Sequence, residues 1–238
     1  MSRTGVVDRL GQECARGLVQ EFMNNWVALS GDAWLAQGGV DDVRHAIAEA
    51  AGAMVTERGP GSPRRVVAWA TEELAPLDLP GLLTSLGFEC VWGTDWSGGA
   101  GGEGDPSAAP TAGPADEPGA TAAAAWQRRN LAATSDLGIT TCSWAVAETG
   151  TIALYASPST GRLPSLLPTA HVALVRPSQI VRSIPDGLRL LADHRAQQGG
   201  LPSAVNLVSG PSRTGDIEGD FAVGVHGPRR AGVIIGEW

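Results

Sequence analysis

Two short apolar runs with a helix between them constrain this chain more than anything else in it. Arg65–Trp69 (RVVAW) and Phe88–Trp92 (FECVW) have the length and the β-branched and aromatic content of strands. Between them Leu82–Leu86 reads as a short helix, and Gly87 stands where a helix C-cap wants a residue that tolerates positive φ. Strand, helix, strand at this spacing argues for a βαβ unit and hence a parallel sheet. Further apolar stretches follow at Ala145–Ala147, Thr151–Ala156, His171–Val175, Ala204–Val208 and Gly232–Ile235. Helices are predicted over about 121–135 and 186–198. The expectation is an α/β fold, a mostly parallel sheet flanked by helices.

Two regions stand outside that alternation. Residues 5–29 predict a helix, because Val6, Leu10, Cys14, Leu18, Phe22 and Val27 recur at steps near 3.6. A second helix is predicted over about 41–55, with Val43, Ile47 and Ala51 on one side. Residues 1–60 therefore read as an N-terminal helical arm and 61–238 as the α/β domain. Within the latter, residues 97–120 are Gly, Pro, Ala and acid, a composition that cannot bury a face and predicts a flexible loop. The GxGxxG from Gly99 to Gly104 opens onto Asp105-Pro106-Ser107 rather than a helix, so it is an accidental match to a dinucleotide fingerprint.

Charge and cysteine usage narrow the function classes. The net charge is −8 over 238 residues, which argues against a nucleic-acid partner held by phosphate neutralisation. The 17 basic residues are all Arg, so mechanisms that need a lysine are closed to this chain. Cys14, Cys90 and Cys142 lie far apart in sequence, without the ligand spacing of a zinc site or an iron–sulfur cluster, and read as small apolar residues. No metal site and no cofactor is expected. No apolar run approaches the ~20 residues of a membrane span, and no secretory signal is visible, so the expected location is cytoplasmic, with no membrane partner.

Three segments carry residues that a buried sheet does not ask for. In 136–151 (DLGITTCSWAVAETGT), Glu148, Thr149 and Gly150 fall between two apolar stretches. Glu148, beside a glycine that permits close backbone approach, reads equally as a general base, a nucleophile or a hydroxyl acceptor, and as a turn carboxylate capping backbone N–H groups. In 206–218 (NLVSGPSRTGDIE), Ser209, Gly210, Ser212, Arg213, Thr214 and Asp216 follow a strand and suggest a cradle for a small anionic ligand. Asp216 and Glu218 would repel an anion, and instead pair with Arg213 or read a substrate hydroxyl. A hydrogen-bonded loop capping the next helix is the plainer alternative. In Gly224-Val225-His226-Gly227-Pro228, His226 is held on a turn, as an acid/base group, an anion contact or a turn residue bonded to backbone. Arg162 lies in a loop that could reach the same face.

Taken together, these segments resemble the LUD-domain family. The likeness rests on LGIT at 137–140, AETGT at 147–151, GRLPSLLPTAHVALV at 161–175, SGPSRTGDIE at 209–218 and GVHGP at 224–228. It is strong over about 130–236 and weak before that. The resemblance implies an α/β fold like that of ribose-5-phosphate isomerase and the CoA transferases. It also implies a non-redox role beside iron–sulfur oxidoreductase subunits that oxidise lactate to pyruvate in the cytoplasm. It supplies no defined catalytic residue. Two alternatives stay open: a stand-alone isomerase- or CoA-transferase-type enzyme with Glu148 as base or nucleophile, and a ligand-binding regulatory module.

Overall fold

The structure, a computed structural model, describes residues 3–55, 64–93, 118–157, 160–215, 221–224 and 226–238. The predicted loop at 97–120 falls outside them as far as residue 117, as do Asp216 and Glu218. In chain order the elements are α1 (Arg3–Ala28), β1 (Asp32–Leu35), α2 (Val40–Met54), β2 (Arg64–Trp69), α3 (Leu79–Ser85) and β3 (Phe88–Gly93). Then come α4 (Pro118–Ala133), β4 (Leu137–Thr141), β5 (Trp144–Val146), β6 (Thr151–Ala156), α5 (Leu163–Leu166), β7 (Ala170–Val175) and β8 (Ile180–Val181). The last are α6 (Ile184–Gln198), β9 (Ala204–Val208), β10 (Arg213–Gly215), β11 (Phe221–Val223) and β12 (Arg230–Ile235). Short 3-10 turns at Glu72–Leu77 and Pro177–Gln179 follow β2 and β7.

Six strands form one parallel sheet in the order β1-β12-β7-β4-β2-β3. β4 and β7 are buried at every position, as the central strands of a sheet covered on both faces must be. This is the mostly parallel sheet flanked by helices that the alternation predicts. The order carries a consequence for ligand binding. From β2 the chain steps outward to β3, then returns past β2 to β4 and continues outward through β7 and β12. The strand order thus reverses between β2 and β4, and a crevice opens beyond their C-terminal ends, where open α/β sheets take ligands.

A second sheet, β8-β5-β6-β9, is mainly antiparallel and was not read from the sequence. β5 and β8 run parallel, and each continues a strand of the large sheet. β4 passes into β5 through Cys142 and Ser143, whose N–H groups donate to Leu174 O at 3.1 Å and Ala153 O at 2.8 Å. β9 lies at the far edge of this small sheet, antiparallel to β6. Ser209 and the residues after it therefore follow an edge strand of the antiparallel sheet rather than a strand of the parallel one.

The N-terminal segment is woven into the fold more deeply than a boundary at residue 60 suggests. β1 pairs in parallel with β12 at the edge of the large sheet, and α2 buries Val43, Ile47, Ala51 and Met54 in the same core. α1 buries Phe22 and Trp26, an i,i+4 pair with rings 6.1 Å apart. Val27, placed on the apolar face by the sequence pattern, is 54% exposed. The stripe runs through Trp26 because four residues, not five, bring a helix back to the same side. Among the described residues, no helix is long and apolar enough to cross a membrane.

Helix–sheet packing is close enough to dictate residue size. A Cβ on Gly138 of β4 would lie 1.7 Å from Pro164 O, so α5 sits directly on the strand at the one position without a side chain. Beside it, His171 of β7 is buried, with Nε2 2.8 Å from Thr140 Oγ1. Burial lowers its pKa from 6.5 to about 4. The unfolded chain therefore binds an extra proton between those two values. This contribution to stability is complete above pH 6.5 and is lost as pH falls toward 4, by about 3 kcal/mol. Urea-unfolding midpoints measured across that range should decline with acidity, and His171→Asn should flatten the slope.

Candidate functional site

The structure draws the predicted turns together around the end of α1. The β5–β6 hairpin turn carries Glu148, Thr149 and Gly150. Thr149 Oγ1 lies 2.7 Å from Thr151 Oγ1, which lies 2.8 Å from Ser209 Oγ, so a run of hydroxyls joins the hairpin to the segment after β9. Ser212 in turn ties that segment to the third turn. Its N–H donates to Pro228 O at 3.0 Å, and its carbonyl accepts from Gly224 N–H at 3.0 Å. His226 is exposed on this third turn.

Gly150, read as permitting close backbone approach, and Gly210, read as part of the anion cradle, both face backbone at the end of α1 and just after it. Gly150 has φ +56°, and a Cβ there would lie 2.5 Å from Trp26 N. Gly210 has φ +82°, and its Cβ would lie 2.8 Å from Leu29 O. Asn25 Nδ2 donates to Ala147 O at 2.8 Å, and the Arg213 guanidinium donates to Leu29 O. The motif turns therefore hold the helix end as well as one another. Arg213 is exposed, and its carbonyl contact leaves the charge uncompensated by that bond.

Glu148 makes the backbone-capping contact that its turn-carboxylate reading describes. Its backbone N–H donates to Arg182 O at 3.1 Å, and Oε1 accepts from Ile184 N–H at 3.3 Å, at the first turn of α6. A carboxylate suits that end of a helix, where N–H groups lack intrahelical acceptors. Asp186 also serves it, accepting from Ser183 Oγ at 2.6 Å, a bond that holds its carboxyl below the usual range.

Arg162 does not join the cluster. It precedes α5 beyond the opposite end of β6, and Thr151 and Ala156 at the two ends of that strand are roughly 17 Å apart. The loop is anchored there, because Trp69 Nε1 donates to Gly161 O at 2.9 Å. Thr214 lies in β10, paired with Ala222, and its side chain is outside the described residues, as is all of Asp216.

Sequence reasoning missed a polar group where the parallel sheet does end. Glu73 follows β2, Thr141 closes β4, and Arg176 follows β7. Glu73 Oε1 accepts from Thr141 Oγ1 at 2.6 Å, and Oε2 accepts from Arg176 Nη1 at 3.1 Å. The Arg176 guanidinium stacks 4.1 Å from the centre of the Trp238 ring, whose Nε1 donates to Glu73 O at 2.7 Å. The segments after β4, β7 and β12 thus converge on Glu73, the first two at its carboxylate and the last at its backbone carbonyl. Cys142 beside them is buried, and burial together with the Glu73 charge pushes its thiol well up, while burial moves Cys90 to about 11. Both remain protonated at neutral pH and act as small apolar residues. The signal available in the sequence was position: Glu73 and Thr141 stand at or just after the C-terminal ends of adjacent parallel strands.

The glycine contacts make a direct stability test. Gly150→Ala must accommodate both a positive φ and the helix backbone, whereas Gly199, with φ +72°, has nothing within 4 Å of its Cβ. Chemical denaturation should give Gly199→Ala a loss of about 1 kcal/mol from the left-handed conformation alone. Gly150→Ala should lose about 1–3 kcal/mol more from the displaced helix.

Comparison with known proteins agrees with this architecture. The LUD domain model matches residues 105–235, which span all three motif turns and Arg162. Lactate utilization protein C of Bacillus licheniformis is 39% identical over 116 residues, 49% of this chain and 48% of that protein. Lactate utilization protein C 1 of Bacillus mycoides is 42% identical over 105 residues, 44% of this chain and 45% of that one. The same-named protein of Bacillus subtilis is 40% identical over 101 residues, 42% of each. The matches thus span about half the length of these relatives. A crystal structure of a DUF162 family protein from Deinococcus radiodurans shares the fold, with a TM-score of 0.56 at 23% identity over 93% of this chain and 97% of that one. With the family model covering more than half of its length, the chain belongs to the LUD domain family.

Proposed function

We propose that this chain serves lactate utilisation as a non-redox component, working beside iron–sulfur oxidoreductase subunits. The relatives carry that process in their names, and their likeness to this chain runs at about 40% identity. The observation that carries the reading to particular residues is the junction of the three motif turns. Thr149, Thr151 and Ser209 share a run of hydroxyls, and Arg213 and His226 stand exposed on the turns that Ser209 and Ser212 tie in. The exposed Arg213 guanidinium, with the His226 ring and the hydroxyls of Thr149 and Ser209, suits a small carboxylate or an acidic patch on a partner. Glu148 borders this face and supports it through α6 rather than acting as a nucleophile. A stand-alone transferase would need that carboxylate free, and its bond to Ile184 N–H speaks for the supporting role.

Deletion in the native host, followed by complementation, tests the reading. Loss of the gene should abolish or slow growth on L-lactate and leave growth on glucose unchanged. The double variant Arg213→Ala/His226→Ala should complement poorly while folding normally, and the tagged wild-type chain from lactate-grown cells should bring an iron–sulfur oxidoreductase with it. Undiminished growth of the deletion strain on lactate would overturn the proposal.

A further inference from the structure

The end of the parallel sheet holds more than the Glu73 network. Beyond the C-terminal ends of β2 and β4, a cleft of about 480 Å³ opens between the large sheet, the β5–β6 ribbon and α6. That volume falls in the range of small-molecule sites, roughly 300–1,000 Å³. Its place at the reversal of strand order is where an open α/β sheet has room for a ligand. It is separate from the face used in the proposed function, which gathers at the opposite end of β6.

The lining decides what kind of molecule fits. Trp69 and Trp144 are almost fully buried and form an apolar floor, while the half-buried Tyr155 forms a side wall. The Tyr155 hydroxyl accepts from Trp144 Nε1 at 2.8 Å, so its own proton is unspent by that bond. His194 of α6 meets the Tyr155 ring edge-on at 4.9 Å. The remaining polar groups are weighted toward acceptors. Glu73 and Asp193 bring two carboxylates, and Arg176 is already bound to Glu73. Among the described lining residues, only His194 can become positively charged. Glu73 is paired with Arg176, so an anion entering here would meet the Asp193 carboxylate, and among the described lining residues no Arg offsets it.

We propose that this cleft binds a small ring compound, uncharged or cationic, that donates hydrogen bonds through hydroxyl or amine groups. The ring lies against Tyr155, and its donors address Asp193 and Glu73. Free carboxylates such as lactate, and phosphorylated forms of the same rings, are excluded. The site is independent of the lactate reading, and a test on purified protein separates the two.

The test uses the full chain with adenosine, glucosamine and tryptamine as probes, and adenosine monophosphate and lactate as counter-probes. Saturation-transfer NMR and tryptophan fluorescence report binding, the latter because Trp69 and Trp144 border the cleft. At least one of the three probes should bind, and neither counter-probe should compete with it. Asp193→Asn, at an exposed position, should leave the fold intact and weaken that probe about tenfold, as loss of a hydrogen bond to a charged acceptor does. Silence from all three probes would overturn the proposal. So would tighter binding of adenosine monophosphate than of adenosine, or full affinity in both Asp193→Asn and Tyr155→Phe.

Discussion

β4 and β7 run side by side through the centre of the large sheet and then leave it together. Leu137 to Thr141 pair with Ala170 to Leu174, and beyond Cys142 and Arg176 the same two chains meet again as β5 and β8, with Ala145 opposite Ile180. One parallel partnership thus spans both sheets. Side chains alternate along a strand and both faces of this pair are covered, so a shift of one residue would set its side chains against the wrong layer in both sheets at once. The absence of a side chain at Gly138 and the bond between His171 and Thr140 both lie on this pair. The cleft is lined by Thr141, Cys142 and Ser143, where β4 passes from the large sheet toward the small one.

That geometry divides the molecule's chemistry between two ends of the small sheet. At one end the hairpin turn, the segment after β9 and the Gly224–Pro228 turn are joined by hydroxyl and backbone hydrogen bonds and clasp the end of α1. At the other, Glu73 gathers Thr141, Arg176 and Trp238 beneath an acidic, aromatic cleft. The exposed Arg213 and His226 favour anions, and the uncompensated Asp193 disfavours them. The face proposed for a carboxylate and the cleft proposed for a ring compound thus lie at opposite ends of the small sheet.

The glycines of the motif turns illustrate how a site-like sequence serves structure as well. Gly150 and Gly210 adopt positive φ, and each leaves room for backbone of the α1 segment rather than for a ligand. Any substitution there moves the helix end, and with it Asn25 and the Leu29 carbonyl that Arg213 grips. A segment before the matched LUD region thus becomes part of the face built by that region.

The elements themselves were legible in the sequence because local pattern decides them. Apolar runs of four to six residues became β2, β3, β6, β7, β9 and β12, helical spacing marked α1, α2, α4 and α6, and Gly87 ends the helix before β3. The likeness to the LUD family was legible in the strings around Glu148, Arg213 and His226, which are continuous in the chain. Pairing was not legible. Nothing local distinguishes β9, at the edge of an antiparallel sheet, from a strand of the parallel one, and β1 is only four residues long. Nor was Glu73, which sits in an ordinary acidic pair and gains its meaning from Thr141 and Arg176, 68 and 103 residues away. Local propensity and periodicity act over a few residues and are written in the chain. Which strand ends meet depends on how the sheet is ordered, a property that arises only when the core closes.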